Sequence, residues 1–318
     1  MSFSSEQIQK ISKEISGKVN GKTLFDEFSR GRYSTDASVY QIKPLGVILP
    51  KDTNDVLNIM DYSQRNSIPL LARGGGSSQC GQTVGESVVL DYSKHQNKIL
   101  ELNVKDKYVW VEPGVVLDHL NEYLKPYGLW FPVDVSTSSR ATIGGMSANN
   151  SCGSRSLYYG NMVHNVLAIE AILDDGSIFT FDQIEKNYLE KKNNQDRHYK
   201  NIDKFIDLRQ KVATEIDDKW PTTQRRVGGY NIDLIDTNGF NSSNLLVGSE
   251  GTLSLFSKIK LKLSEIPKNK ILGVCYFDNF HQAMELSKEI VKLKPTCVEL
   301  MDQNLLNLAR EIPMYAEG

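Results

Sequence analysis

The chain has 318 residues, of which 40% are hydrophobic and 24% charged, with a formal net charge of −2 at pH 7. This length is enough for about two domains with their own cores, and the balanced charge offers no basic field for nucleic acid. No apolar run reaches the roughly 20 residues of a membrane span, and the polar N-terminus lacks the apolar segment of a secretory signal. We therefore expect a cytoplasmic protein.

The first half of the sequence alternates helix and strand patterns. An amphipathic helix is predicted over residues 6–15, followed by a polar segment over 30–38. Strands are then predicted over 46–49, 69–72, 87–91, 98–102 and 108–111, and helices over 54–66 and 115–127. This order predicts a mixed α/β architecture.

The strand over 69–72 runs directly into the first of two glycine-rich loops. The first loop covers residues 72–82 (ARGGGSSQCGQ) and the second covers 141–153 (ATIGGMSANNSCG). Glycine permits positive φ and lets successive N–H groups point into one concavity, which is how a backbone binds an anion. Both loops also carry hydroxyl and amide side chains that can donate to phosphate. Two such loops in one chain favour a diphosphate ligand over ordinary turns.

Two other phosphate-binding motifs fit the first loop less well. The dinucleotide pattern G-x-G-x-x-G requires a glycine where Gln79 follows Gly74 and Gly76. The nucleoside-triphosphate pattern G-x-x-x-x-G-K-[ST] has the right spacing from Gly76 to Gly81, but Gln82 stands in place of the lysine. A nucleoside-triphosphate-binding protein stays an alternative only if that glutamine is tolerated.

The second half of the sequence begins with a hairpin pattern and ends with a different one. Strands are predicted over 166–173 and 177–181 around an Asp-Gly turn. A charged surface excursion is predicted over 186–198. A long strand is then predicted to open at 245–253 and to run to 263. A different pattern follows a hinge near Pro267. It predicts one βαβ unit and part of another, with a strand over 271–277, a helix over 280–293, a strand over 297–301 and a helix from 303. Such a unit leaves a sheet edge open, so we expect the sequence to stop inside a domain.

Cysteine and histidine spacing predicts no metal site. The four cysteines form no C-x-x-C pair, so neither a metal cage nor a disulfide framework is indicated; they are Cys80, Cys152, Cys275 and Cys297. The five histidines do not cluster; they are His95, His119, His164, His198 and His281. Only His164, which lies close behind the second loop, is kept as a site candidate.

Five sequence blocks carry a resemblance to a known family. In chain order they are 73–78, 131–145, 149–160, 229–233 and 247–252. They resemble the FAD-linked oxidases of the vanillyl-alcohol-oxidase superfamily, which have a PCMH-type FAD-binding domain. The branch that they resemble most contains the D-lactate, glycolate and D-2-hydroxyglutarate dehydrogenases, especially the N-terminal part of large bacterial members with a C-terminal iron–sulfur half.

The resemblance implies an α+β fold with three parts. An N-terminal helix and lead-in segment over 1–29 precede a two-subdomain FAD-binding PCMH-type domain over 30–265. Residues 266–318 are then the start of an incomplete α/β, ferredoxin-like cap domain. FAD is expected to lie extended between the two subdomains.

The resemblance also implies the residues that bind FAD. In the first loop they are Arg73, Gly74, Gly75, Gly76, Ser77, Ser78, Gly81 and Gln82. In and before the second loop they are Pro132, Asp134, Ser136, Thr137, Thr142, Gly144, Gly145, Asn149, Asn150, Ser151, Gly153 and Ser154, and in the last block Glu250 and Gly251. By residue type alone, Asp134 could equally cap a turn and Glu250 could pair with a cation. Ser77 stands where some superfamily members carry a histidine bonded to the flavin, so noncovalent FAD is implied.

The activity that the resemblance implies is an FAD-dependent dehydrogenase. Hydride would pass from the Cα of a D-2-hydroxy acid, of the D-2-hydroxyglutarate, D-lactate or glycolate type, to flavin N5 while a base takes the hydroxyl proton. The catalytic residues, a divalent metal and an iron–sulfur cluster are expected only beyond Gly318. Arg225 and Arg226 could border the substrate side or form a solvated pair.

The expected partners are therefore a small 2-hydroxy acid and an unidentified electron acceptor, without nucleic acid or a transmembrane segment. Peripheral membrane association through that acceptor is a further option. The competing hypothesis is an FAD-binding module without catalysis of its own, completed by another chain or by further sequence.

Overall fold

The computed structural model describes residues 3–186, 197–223, 225–236 and 238–315. The first part of the chain forms a small α/β unit. Its elements are α1 (Ser5–Ser16), β1 (Lys22–Leu24), α2 (Glu27–Arg32), β2 (Gly46–Leu49), α3 (Thr53–Asn66), β3 (Leu70–Arg73) and β4 (Val88–Asp91). The strand order is β1-β2-β4-β3, with β2, β4 and β3 parallel and β1 antiparallel. Strands β2 and β4 are buried throughout, as expected of parallel strands covered on both faces.

The second part is built on an antiparallel sheet of order β5-β6-β12-β8-β9. Its elements up to the second loop are β5 (Ile99–Asn103), β6 (Tyr108–Val111), α4 (Leu117–Leu124), β7 (Leu129–Trp130) and α5 (Ile143–Asn149). The next are α6 (Ser156–Tyr159), α7 (Met162–Asn165), β8 (Val166–Ile172), β9 (Ile178–Phe181), β10 (Gln183–Glu185), α8 (Arg197–Lys211) and α9 (Ala213–Lys219). The last are β11 (Gly239–Asn241), β12 (Leu255–Lys262), β13 (Ser264–Glu265), α10 (Phe280–Lys292) and α11 (Gln303–Arg310).

The two sheets share part of one hydrophobic core. Ile172 and Leu255, from the central strands of the second sheet, are buried in the same cluster as Val56, Ile59 and Leu90 of the first unit. Burial of apolar side chains stabilises by about 25 cal/mol per Å². The shared cluster therefore fixes the two sheets against each other and defines the junction between them.

The predicted strands and helices of residues 1–182 are confirmed, with ends that match or shift by at most three residues. The predicted strand opening at 245–253 was wrong, because β12 begins only at Leu255. A 3-10 turn over Ser242–Leu245 is followed by Gly248, Glu250 and Gly251, all with positive φ. Backbone in that region of φ cannot continue a strand. Residues 187–196 of the predicted surface excursion lie outside the described residues.

The C-terminal segment forms the predicted helices α10 and α11, but residues 271–277 and 297–301 form no β ladder in residues 266–315. The strand predictions there were wrong for this chain. The apolar side chains of Ile271 and Tyr276 are 97% and 91% exposed, so these segments have no core to pack against. An unpaired strand without such packing is not stable in water. The predicted ferredoxin-like cap thus stays a prediction.

Every helix in the described part of the chain is too short or too polar to cross a bilayer.

Asp55, on the first turn of α3, holds the first unit together. Its fully buried carboxylate accepts hydrogen bonds from the backbone N–H groups of Asn20 at 2.7 Å, Gly21 at 2.8 Å and Lys51 at 2.7 Å. It thereby ties the turn after α1 to the start of α3.

We expect Asp55→Ala to lower the free energy of unfolding by about 3 kcal/mol, because three backbone N–H groups lose a charged acceptor. Asp61→Ala, at an exposed position of the same helix, should change it by less than about 0.5 kcal/mol. Urea unfolding of both variants measures the difference. Equal stabilities would contradict the structural role of Asp55.

Candidate ligand-binding cleft

A cleft of about 360 Å³ lies between the two parts of the fold, and both glycine-rich loops line it. The first loop leaves β3 at the carboxyl edge of the parallel strands. Ligands of open α/β sheets bind at this edge. The second loop enters α5, whose N-cap residue Thr142 accepts a hydrogen bond from Gly145 N–H.

The first loop packs directly against the second. A Cβ on Gly74 would lie 2.1 Å from Thr142 Oγ1, and one on Gly75 would lie 2.2 Å from the carbonyl oxygen of Arg140. Real Cβ atoms do not approach this closely, so both glycines are required for loop-on-loop contact. Gly145 differs, because the nearest atom to its Cβ would be Thr142 Oγ1 at 3.3 Å. Gly145 is exposed on the cleft wall.

Glu250 joins the last sequence block to both loops. Its Oε1 accepts from Asn149 Nδ2 at 2.8 Å and from Gln82 Nε2 at 3.4 Å, while its N–H donates to the carbonyl of Ala148 at 3.0 Å. Glu250 has φ of 51°, a conformation that costs a non-glycine residue roughly 1–3 kcal/mol. These hydrogen bonds stabilise that backbone and connect three distant parts of the sequence.

Arg73 lines the cleft, but its guanidinium is engaged by the protein. It donates to the carbonyl oxygens of Thr35 at 2.8 Å and Thr83 at 3.0 Å and stacks over the ring of Tyr33 at 5.2 Å. Its charge therefore holds the first loop to the polar segment before β2.

Most of the predicted site residues line the cleft. They are Arg73, Gly74, Gly75, Gly76, Ser77, Ser78, Gln82, Ser136, Thr137, Thr142, Gly144, Gly145, Asn149, Ser151, Glu250 and Gly251. The structure thus brings together three sequence blocks that lie up to 178 positions apart.

The other predicted residues lie outside the cleft wall: Gly81, Pro132, Asp134, Asn150, Gly153 and Ser154. Asp134 accepts from Ser154 Oγ at 3.1 Å and Arg155 N–H at 3.1 Å. Asn150 is buried, and its Oδ1 accepts from Val163 N–H at 3.0 Å. These contacts hold the second loop in place from outside the cleft wall. For Asp134 they agree with the alternative that this residue caps a turn.

His164, Arg225 and Arg226 also lie outside the wall. His164 Nδ1 accepts from Asn161 N–H at 3.0 Å, and desolvation lowers the pKa of the imidazole. Arg226 pairs with Asp233 at 2.5 Å, and Arg225 is exposed. Within the described ranges, no three His, Cys, Asp or Glu residues are grouped to hold a metal ion.

Several residues of the wall were not among the predicted FAD-binding residues. They include Ala72, Tyr92, Pro113, Cys80, Cys152, Ser254, Leu255 and Phe256. Tyr92 directly follows β4 and Leu255 begins β12. The signal that could have found Tyr92 is its position after a predicted parallel strand, since the carboxyl ends of such strands border ligand sites.

Comparison with known proteins finds a family model, several relatives and solved structures to which the chain is similar. Residues 44–182 match the model of the FAD binding domain. The chain is 33% identical over 298 residues to D-2-hydroxyglutarate dehydrogenase of Escherichia coli (strain K12), covering 92% of this chain and 29% of that protein. It is 28% identical over 305 residues to glycolate oxidase subunit GlcD of Bacillus subtilis (strain 168), covering 94% and 55%.

Among solved structures, an alkyldihydroxyacetonephosphate synthase has the same fold, with a TM-score of 0.62 at 16% identity, covering 91% of this chain and 50% of that one. The chain spans 29% of the length of the D-2-hydroxyglutarate dehydrogenase from E. coli that it matches.

The fold and the cleft thus define an FAD-binding domain. The matches confirm the resemblance carried by the five sequence blocks: residues 44–182 match the FAD binding domain, and the chain is similar to D-2-hydroxyglutarate dehydrogenase, glycolate oxidase subunit GlcD and D-lactate dehydrogenase. The cleft fits such a cofactor, because its wall combines close-packed glycine backbone with hydroxyl and amide side chains.

Gly145→Val should weaken FAD binding by about tenfold or more, since a side chain there projects toward the cleft and a loss of 1.4 kcal/mol corresponds to tenfold. Gly31→Val is the control, because a Cβ at that helical position meets no atom within 4 Å. Fluorescence titration with FAD measures the affinities. Wild-type affinity in Gly145→Val would contradict this placement of the loop.

Gly75→Val should act differently, through the fold. Its Cβ would meet the backbone of Arg140, so we expect a loss of thermal stability in the absence of FAD. Circular dichroism melting of the apoprotein measures it. A melting temperature equal to that of Gly31→Val would show that the loops do not need this contact.

The four cysteines provide an internal test of the cleft. Cys80 and Cys152 line it, whereas Cys275 and Cys297 are exposed in the C-terminal segment. Saturating FAD should slow alkylation of the first pair and leave the second pair unchanged, because only the first pair is covered by ligand. Peptide mass spectrometry gives the four rates. Uniform rates with and without FAD would contradict the assignment.

Proposed function

We propose that this chain is the FAD-binding part of an FAD-dependent dehydrogenase that oxidises a D-2-hydroxy acid. The observation that carries the proposal is the cleft between the two sheets, whose wall is formed by both glycine-rich loops and the Glu250 block. The relatives are named as D-2-hydroxyglutarate dehydrogenase, glycolate oxidase and D-lactate dehydrogenase. This supports an acid of the D-2-hydroxyglutarate, D-lactate or glycolate type as substrate.

In this proposal the residues of the wall bind and orient the cofactor. Backbone N–H groups of the first loop, with Ser77 and Ser78, hold the diphosphate, since consecutive amides form an anion-binding concavity. When bound, FAD supplies N5 as the acceptor of a hydride from the substrate Cα. Ser77 has no ring nitrogen to attach to the flavin, so we propose noncovalent FAD.

The electrostatics of the first loop favour this ligand over a nucleoside triphosphate. Gln82 supplies no positive charge, and its side chain contacts Ser78 and the carboxylate of Glu250. A nucleoside-triphosphate loop of this pattern uses a lysine to hold the β- and γ-phosphates, and the neutral amide of Gln82 cannot supply that charge.

The groups that bind the substrate belong, in this proposal, outside the cleft described above. A 2-hydroxy acid needs a cation for its carboxylate, and of the described residues on the wall only Arg73 is cationic. Its guanidinium already faces the carbonyls of Thr35 and Thr83. We propose that a cap domain beginning in 266–318, completed by further sequence, supplies the cation and the base.

The same proposal assigns any divalent metal and iron–sulfur cluster to sequence beyond Gly318, and electrons pass to an acceptor still to be identified. Cytoplasmic location, with peripheral membrane association through that acceptor, belongs to the proposal as well. The competing function is an FAD-binding module completed by another chain.

Noncovalent binding predicts that acid precipitation of the FAD-loaded chain releases the flavin. The yellow colour should appear in the supernatant, because no side chain is bonded to the ring. Absorbance of the two fractions measures this. Colour that stays in the pellet would contradict noncovalent binding.

Because the substrate-binding groups are proposed to lie outside the cleft of this chain, we expect the 318-residue chain to bind FAD but not to reduce it with D-2-hydroxyglutarate, D-lactate or glycolate. A longer protein that includes the cap should bleach the flavin absorbance with one of these acids, because it fixes the substrate carboxylate beside the ring. Anaerobic absorbance at the flavin band measures reduction in both. Bleaching by the 318-residue chain at about 1 s⁻¹ or faster would place the catalytic groups within it.

A further inference from the structure

The fourth sequence block, which the structure describes in full over residues 229–233, contributes no residue to the cleft wall. It packs instead against the last block, over residues 247–252. A Cβ on Gly248 would lie 3.1 Å from the carbonyl oxygen of Gly229, and Asn231 beside this contact is 3% exposed. A block placed behind the wall can affect a bound ligand only through the residues in front of it.

The last block needs support because of its backbone conformation. Gly248, Glu250 and Gly251 all have positive φ, and this conformation is strained for the non-glycine residue Glu250. Helix α5 supports the middle of the block. There the N–H groups of Gly248 and Glu250 donate to the carbonyls of Ser147 and Ala148, both at 3.0 Å. These two bonds leave the ends of the block to be held by other contacts.

Asn231 holds the first end of the last block. Its Nδ2 group donates to the carbonyl oxygens of Val247 at 2.7 Å and of Asn244 at 3.3 Å. A side-chain amide has two N–H donors, so both are used on carbonyls of one short segment. The buried amide thereby fixes the point at which the chain enters the turn with positive φ.

Tyr230 holds the other end. The Oγ1 atom of Thr252 lies 2.6 Å from the carbonyl oxygen of Ser249 and 2.7 Å from the Tyr230 hydroxyl. A threonine hydroxyl has a single proton to donate, and this proton goes to the Ser249 carbonyl, which can only accept. The Tyr230 hydroxyl is therefore the donor to Thr252. The two hydrogen bonds in series close the turn that contains Glu250.

We infer that Tyr230 and Asn231 are positioning residues for Glu250: they hold the ends of its turn and so keep its carboxylate in contact with both glycine-rich loops. The inference rests on the proposed function, in which Glu250 belongs to the wall that binds the cofactor. The carboxylate accepts from Asn149 at 2.8 Å but from Gln82 only at 3.4 Å. A hydrogen bond is lost at about 3.6 Å. A small shift of Glu250 would therefore release Gln82 of the first loop.

The first test needs no ligand and compares Tyr230→Phe with Tyr127→Phe. The two tyrosines are 47% and 48% exposed, but Tyr127 lies outside the cleft wall, where its ring contacts Tyr123. Amide hydrogen exchange of the 318-residue chain is measured by mass spectrometry on a peptide that covers 247–252. Tyr230→Phe should speed this exchange about 3- to 10-fold, the factor for one lost hydrogen bond. Exchange equal to that of Tyr127→Phe would overturn the role of Tyr230.

Further variants test the two ends of the turn separately. Thr252→Val removes both hydrogen bonds of the hydroxyl and should speed exchange at least as much as Tyr230→Phe, whereas Thr252→Ser keeps the hydroxyl and should exchange like the wild type. Fast exchange in Thr252→Ser would overturn the hydrogen-bonded chain. Asn231→Asp places an acceptor against two carbonyls and should speed exchange by more than about tenfold. Unchanged exchange in Asn231→Asp would overturn the role of Asn231.

The link to the ligand is tested through Glu250. Tyr230→Phe should weaken FAD binding about 3- to 10-fold in fluorescence titrations of the flavin-free chain. In a Glu250→Gly background the same change should have an effect of less than about twofold, because glycine adopts positive φ freely and leaves no carboxylate to position. Such non-additivity is expected of residues that act through one another. Equal effects in both backgrounds would overturn action through Glu250.

The outcomes separate the inference from the proposed function. A wild-type chain that does not bind FAD would overturn the proposed function, while the exchange measurements would still decide whether the turn is held by Tyr230 and Asn231. Wild-type binding of FAD, with unchanged exchange in the variants, would overturn the positioning role alone.

Discussion

The contact between the two glycine-rich loops is the constraint on which the cleft depends. Gly74 and Gly75 allow the first loop to lie against Thr142 and Arg140 with no space for a Cβ. One loop extends a parallel sheet and the other starts a helix beside an antiparallel sheet. Their contact therefore sets the distance between two independently built layers. A cofactor bound between such layers meets a preformed wall, which reduces the entropic cost of binding.

Glu250 shows how the third sequence block is fitted to that wall. A carboxylate near a proposed diphosphate site would be unfavourable if its charge were free to face the ligand. Here the carboxylate accepts hydrogen bonds from Gln82 and Asn149. The backbone of Glu250 has a positive φ, as do Gly248 before it and Gly251 after it. The strain is compensated by hydrogen bonds to both loops. Glu250 thus stabilises the arrangement of the wall.

The sequence predicted what depends on local pattern. Glycine clustering located both loops, and apolar periodicity located β2, α3 and β4, because both signals act over a few neighbouring residues. It could not predict that Gly75 faces Arg140, or that Asp134 supports the second loop from behind, since these roles depend on residues that are distant in the chain. The strand predictions for the C-terminal segment were wrong for a related reason. Residues 271–277 have a strand pattern, but a strand also needs a partner and a covered face.

The chain combines a closed junction with an exposed C-terminal segment, and the proposed chemistry needs both. The nucleotide end of a dinucleotide cofactor is held best where water is excluded, because hydrogen bonds are stronger there. The reacting ring must instead stay accessible until a substrate arrives. Tyr92 and Leu255 belong to the core that joins the sheets, whereas Ile271 and Tyr276 are almost fully exposed.

Apolar exposure on this scale usually marks a surface that another part of a protein covers. A cap that packed on this segment would close the site over the flavin and bury these side chains in the same step.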